Sequence, residues 1–232
     1  MTSTSEQKGR KRKFILSLAV VAGMIAAIGI GTMASFTAQT KNPDNVFAAG
    51  TLVLSNTKQS GSACLSTGGG STDTNANDSC DTLFNLTVRK PGDTGSANLT
   101  LKNEGSLNAS VFKIFSAACA NADAAGEDYH GTGDPCSKIQ LTVQEYSDSG
   151  FTTPSACLYG GAVGATCDFS DATKTLGAFQ TSHSSSTNGL SLAGIDAGES
   201  KYYSVGVKLP SDADNTFQGR QSTMDFTWYA AE

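Results

Sequence analysis

The chain is poor in the residue patterns that most enzyme classes need. It has two histidines, and neither sits in an H-E-x-x-H pair: His130 precedes Gly-Thr-Gly and His183 precedes Ser-Ser-Ser. The commonest zinc-protease site is therefore missing, because it needs two imidazoles one helical turn apart and a carboxylate to activate the water. No C-x-x-C spacing occurs, which removes the usual zinc-thiolate signature. No G-x-S-x-G elbow occurs. Ser-x-x-Lys appears at Ser55/Lys58 and at Ser110/Lys113, but without the S-D-N and K-T-G partners of penicillin-binding enzymes. After Ala34 there is neither a long apolar run nor a sustained 3.6-residue period, so the sequence does not predict a helical domain.

Positive charge is concentrated at the start. Lys8, Arg10, Lys11, Arg12 and Lys13 precede "FILSLAVVAGMIAAIGIGTMA", an uncharged stretch from Phe14 to Ala34. A basic start, an apolar centre and a small-x-small ending at Thr32, Met33 and Ala34 make up a secretory signal, with the cut expected between Ala34 and Ser35. The same stretch is long enough to span a bilayer, but its glycines and alanines weaken it as a permanent anchor. Residues 1–34 hold five of the 16 basic and one of the 21 acidic residues. The remainder carries 11 against 20, a net charge of −9. That balance repels phosphate backbones and argues against a nucleic-acid partner.

All six cysteines, Cys64, Cys80, Cys119, Cys136, Cys157 and Cys167, fall after the signal. An even count in an exported chain implies disulfides. Each neighbouring couple encloses a loop rich in Gly, Ser, Asp and Asn, so the favoured pairing is Cys64 with Cys80, Cys119 with Cys136, and Cys157 with Cys167. In the chain-entropy description, loops of this size contribute about 3 kcal/mol per bridge.

Apolar residues recur at every second position in short bursts separated by turn formers: Leu52 and Leu54; Phe84, Leu86 and Val88; Ala97, Leu99 and Leu101; Ile139, Leu141 and Val143; Tyr203, Val205, Val207 and Leu209; Met224, Phe226 and Trp228. Each burst predicts a strand buried on one face, and the final one reads as a single continuous strand. The stretch 116–129 is expected to hold a short helical turn. At least seven strands in about 200 residues predict an all-β, antiparallel β-sandwich of jelly-roll or immunoglobulin-like type. The polar stretch 58–80, between the first two predicted strands, reads as a surface insertion. Asp212, Asp214 and Asn215 present clustered oxygens that suit either calcium or a turn, and the turn is the simpler reading.

Three stretches together resemble the TasA and camelysin (CalY) family. "GTMASFTAQTKNPDNVFAAGTLVLSN" (31–56) is similar to the family's junction, with Phe47, Gly50, Thr51 and Leu52 in the F-x-x-G-T-L positions. "KPGDTGSANLTLKNEGSLNASV" (90–111) is similar to its K-P-G-D hairpin and N-x-G-S-L element, carried by Pro91, Gly92, Asp93, Gly105, Ser106 and Leu107. "DNTFQGRQSTMDFTWYAAE" (214–232) resembles its closing N-x-[YF]-Q-G strand, through Phe217, Gln218 and Gly219. These stretches cover about a third of the chain, and the cysteines are a departure from the pattern. The resemblance implies a jelly-roll subunit of extracellular matrix or cell-surface fibres, released by a SipW-type signal peptidase. It also implies that the freed segment, Ser35, Phe36, Thr37, Ala38, Gln39 and Thr40 onward to about residue 45, completes the sheet of the next copy.

The expected organisation is thus a signal peptide (1–34), an extended donor segment (35–45) and a β-sandwich (46–232). The expected partner is a second copy of the chain, with an accessory anchoring or nucleating subunit as a further one. No cofactor and no catalytic residue is expected. The competing functional classes are a camelysin-type metalloprotease, for which the sequence offers no ligand set, and a monomeric binding module anchored by an uncleaved 14–34 segment.

Overall fold

Between Thr94 and Asn103 every second side chain turns inward, and Ala97, Leu99, Leu101 and Asn103 are all buried. That alternation, expected of a strand with one wet face, defines the central strand of the protein. The structure, a computed structural model, describes residues 48–69, 75–84 and 90–232. The signal peptide, the Ala34–Ser35 cleavage point, the donor segment, Phe47 and the strand positions Leu86 and Val88 lie outside these residues.

From Ala49 to Glu232 the described chain forms one compact unit. Its strands are β1 (Leu54–Lys58), β2 (Cys64–Leu65), β3 (Thr94–Asn103), β4 (Val111–Phe115), β5 (Cys119–Asp123), β6 (Gln140–Tyr146), β7 (Pro154–Tyr159), β8 (Gly161–Val163), β9 (Thr166–Asp168), β10 (Leu190–Leu192), β11 (Ser200–Lys208), β12 (Arg220–Met224) and β13 (Thr227–Ala231). Two short helices, α1 (Pro135–Lys138) and α2 (Leu176–Ser182), interrupt them.

A six-stranded sheet runs β2-β1-β3-β11-β6-β7, and a three-stranded sheet runs β10-β4-β13, with every pairing antiparallel. Leu99, Leu101, Leu141, Val143, Tyr203 and Val205 of the large sheet meet Phe112, Ile114 and Leu192 of the small one in a single core. The Tyr203 ring lies 5.3 Å from the Trp228 ring and 6.3 Å from that of Phe112, joining the two layers. Each such side chain, fully buried, contributes about 1.5–3 kcal/mol relative to exposure. Helix α2, capped by the Thr175 hydroxyl, drives Phe179 into this core against Tyr159 and Phe226.

The sequence-based expectation of an all-β antiparallel protein with stapled loops holds, and several details differ. Stretch 116–129 contains strand β5 rather than a helical turn, because Cys119–Asp123 pairs with β12. The expected last strand is two strands. β12 pairs with β5 in the register Met224↔Cys119, whereas β13 pairs with β4 in the register Thr227↔Phe115. Three residues, Ser116 to Ala118, therefore oppose two, Asp225 and Phe226, and the extra residue bends the ribbon as a bulge does. Leu52 precedes β1, and Phe84 lies outside the strands while still packing against the core. The polar 58–80 loop contributes β2 to the edge of the large sheet.

Candidate functional site: a junction corner and an open sheet edge

Two of the three family-like stretches meet in space. The Thr51 carbonyl accepts from the amides of Ser106 (2.8 Å) and Leu107 (3.0 Å), and the Thr51 amide donates to the Ser106 hydroxyl (3.0 Å). Leu52 follows, half-buried against the core. Gly50 is tight against Leu107: a Cβ there would come within 2.4 Å of its side chain. The corner is braced by Asn103, which is buried at the inward end of β3. Its amide group donates to the carbonyls of Leu107 (2.7 Å) and Ile195 (3.3 Å), and its oxygen accepts from the Gly105 amide (3.0 Å). Chain emerging from the N-terminal side is thus clamped as it enters the domain.

Pro91, Gly92 and Asp93 form the turn that launches β3. Asp93 N–H donates to the Lys90 carbonyl (3.0 Å), and Gly92 takes φ of 95°, a value that a turn with proline before it requires and glycine tolerates. Phe217, Gln218 and Gly219 lie elsewhere, against the segment 129–138. There the Gln218 carbonyl accepts from Gly131 N–H (2.8 Å), and the Phe217 ring receives Lys138 at 6.0 Å. Gly219 sits at φ of 65° with no room for a side chain, since a Cβ would come within 1.9 Å of the Tyr129 carbonyl.

The disulfides join Cys64 to Cys80, Cys119 to Cys136 and Cys157 to Cys167, the neighbour pairing that the loop composition favours. Sequence reasoning did not anticipate what the third bridge supports. Gln140 and Gln144 are buried on the outward side of β6, beneath the β8–β9 hairpin. Gln144 donates to the carbonyls of Ala156 (2.8 Å) and Ala165 (3.0 Å) and accepts from Cys167 N–H (2.6 Å), while Gln140 donates to Phe169 O (3.0 Å). The signal was present: polar residues at the outward positions of β6 are the long amides of glutamine, which can satisfy a second backbone layer.

The Asp212–Asn215 cluster forms a turn. Asp214 caps a single 3₁₀ turn by accepting from Thr216 N–H (2.9 Å) and its hydroxyl, and these bonds hold its carboxyl below the usual range. Asp212 pairs with Lys138 at 3.0 Å. His130 and His183 each bond a backbone carbonyl, of Gly219 and Asn188. Among the described residues no group of three His, Cys, Asp or Glu side chains is placed to hold a metal, and no helix is long and apolar enough to cross a membrane.

The edges of the two sheets differ. On the large sheet one edge is the two-residue β2, and the other, β7, carries the bridge to β9. On the small sheet β10 is three residues long and the other edge is β13; β12, separated from β13 by Asp225 and Phe226, pairs with β5 in a two-stranded sheet of its own, so the edge from Arg220 to Ala231 is made of two strands. Among the described residues no strand pairs with the outer side of that edge. Its inward-facing Met224, Phe226, Trp228 and Ala230 pack against the core yet stay half-exposed, alternating with exposed Thr223, Asp225, Thr227 and Tyr229. The indole N–H of Trp228 is buried and has no hydrogen-bond partner among the described residues, an uncommon state for a buried donor.

No protein-family model matches the chain, and no curated protein matches it.

Proposed function

We propose that this chain is an exported structural subunit, a jelly-roll β-sandwich that polymerises head-to-tail into extracellular matrix or cell-surface fibres by strand donation. The observation that carries this reading is the open β12–β13 edge, with its row of half-exposed apolar side chains. An unpaired edge of this length offers amides and carbonyls to another strand, and such edges are normally shortened, charged or covered. The occupant is the segment Ser35–Thr40 of a second copy, freed when a SipW-type peptidase cuts between Ala34 and Ser35. Its backbone pairs with β13, and Phe36 and Ala38, which share one face of an extended chain, enter beside Trp228 and Phe226. Donor and acceptor are different surfaces, so the contact need not close and a filament results. The three disulfides support an extracellular setting, and the proposal includes an accessory subunit that anchors or nucleates the fibre.

A second reading fills the same edge from within the chain. Leu83 and Phe84 pack against the core, and Phe84, Leu86 and Val88 alternate in the sequence, so residues 84–88 compete for the β13 edge. Replacing Phe36 with a photo-crosslinking amino acid in the full-length protein, then mapping cross-links in exported material, separates the two. Strand donation predicts intermolecular links from residue 36 to peptides within 220–231. Links confined to one chain, or filaments that persist after deletion of residues 35–45, overturn it.

A further inference from the structure

Away from the open edge, the outward face of the large sheet carries one uninterrupted row across four strands. Tyr146 of β6 lies opposite Tyr202 of β11, Tyr202 opposite Thr100 of β3, and Thr100 opposite Thr57 of β1. Adjacent strands are about 4.8 Å apart, so the row is about 14 Å long. The next row holds Ser204, opposite Asn98, and Asn98 donates to Gln59 at 3.1 Å. The β8–β9 hairpin covers this face over Gln140 and Gln144 but leaves Tyr146 and Tyr202 half-exposed.

The aromatic end is held in place by an unusual loop. Phe151 adopts φ of 55°, a left-handed conformation that costs a bulky residue. Its ring stands close to perpendicular to Tyr146 (5.8 Å) and to Tyr202 (6.0 Å). Asp148 enforces the loop, accepting from the amides of Gly150 (2.9 Å), Thr152 (3.2 Å) and Thr153 (2.7 Å). Its carboxylate is therefore turned inward to the loop. The row itself is uncharged although the whole chain is acidic, and Lys102, two positions beyond Thr100 on β3, is paired with Glu104 at 2.7 Å.

We infer that this face is a binding platform for a neutral polysaccharide. The apolar C–H faces of pyranose rings suit the aromatic end, because aromatic faces are electron-rich and attract C–H edges. The sugar hydroxyls suit the threonine, asparagine and glutamine side chains beyond it, which both donate and accept. An uncharged row across four strands matches an extended uncharged chain and offers no cation to a polyanion. The site is separate from the β12–β13 edge, and the inference does not depend on the fibre reading.

The test is native electrophoresis of the exported protein through gels containing dextran, hydroxyethyl cellulose or xylan, with alginate as the polyanion. Retardation by at least one neutral polymer is expected, with none by alginate. Tyr202→Thr removes the central ring in a residue type that strands accept, and should weaken apparent affinity by about tenfold or more. Thr57→Arg leaves the aromatic cluster untouched, obstructs the far end of the row and should reduce retardation with an unchanged unfolding midpoint. Absence of retardation by every neutral polymer, or full retardation in both variants, overturns the proposal. So does a Tyr202→Thr variant that loses self-association in sedimentation while the parent binds no polysaccharide, an outcome that assigns the face to a second copy.

Discussion

Gly105 lies so close to the incoming chain that a Cβ at its position would sit 2.2 Å from the Thr51 carbonyl oxygen. The three nearest atoms, of Thr51, Leu52 and Val53, are all backbone, so no side chain can move aside. Gly105→Ala should destabilise the domain by about 1–3 kcal/mol, the usual range for forced overpacking. The denaturant midpoint should fall, and proteolysis should begin near residues 48–53 rather than in the disulfide loops. An unchanged midpoint would mean that the Thr51–Ser106 corner is not a structural clamp.

The only tryptophan, Trp228, lies on the β12–β13 edge; among the described residues no strand pairs with the outer side of that edge and the Trp228 N–H has no partner. Assembly through that edge should cover it. Tryptophan emission should move to shorter wavelength as filaments grow, and Trp228→Phe should leave monomer stability within about 1 kcal/mol while changing the polymerisation rate. Emission that does not move on assembly would place the contact on another surface.

These two sites show what could be read from the residues alone. The inward alternation of Ala97, Leu99 and Leu101 was legible because side-chain direction in a strand has a period of two whatever the tertiary setting. The disulfide pairing was legible because each couple of cysteines brackets one polar loop. The break between Met224 and Thr227 was not, since apolar alternation continues straight through a register shift that only the opposing chain, Ser116–Ala118, reveals. Strand β5 was missed for a related reason. "CANAD" has little strand propensity, and its pairing with β12 and the Cys119–Cys136 bridge override that preference. The Tyr146–Tyr202–Thr100–Thr57 row combines four strands distant in sequence, so nothing local announces it.

Gln144 offers a test of the stapled lobe. Gln144→Leu keeps the volume but leaves the Cys167 amide and the Ala156 and Ala165 carbonyls without their partner. These bonds are only part-buried, so each orphaned group costs at most about 1–3 kcal/mol, less where water reaches it. Hydrogen exchange at Cys167 should accelerate well before global unfolding, while exchange in β3 and β11 stays slow.

Acid should loosen the loops before the sheets. Asp168, Asp171 and Asp214 are held below the ordinary 3.8 chiefly by hydroxyls of Ser170, Thr173 and Thr216. For Asp148, partial desolvation pushes upward, but the amides and hydroxyls of Thr152 and Thr153 outweigh it and the net shift is also downward. A carboxyl with a depressed folded pKa stabilises the fold above its unfolded value, and that contribution is lost as pH falls through the folded value. The unfolding temperature should therefore be nearly flat down to about pH 5 and decline from about pH 4 downward. Asp148→Asn should reduce that decline, and a profile equal to that of the parent would remove Asp148 from the account.

Each bridge spans a short interval of 16, 17 or 10 positions, and none ties the beginning of the domain to its end. A pull applied between Ala49 and Glu232 would therefore meet only local covalent shortcuts, and no bridge that joins its two ends. It would be resisted by the sheets, and once they gave way the chain would pay out at about 3.3–3.6 Å per residue, except for the three locked intervals. Reducing agent would lengthen that travel by a fixed increment and leave the order of yielding elsewhere unchanged, so the staples act as stops on extensibility rather than as tethers between layers.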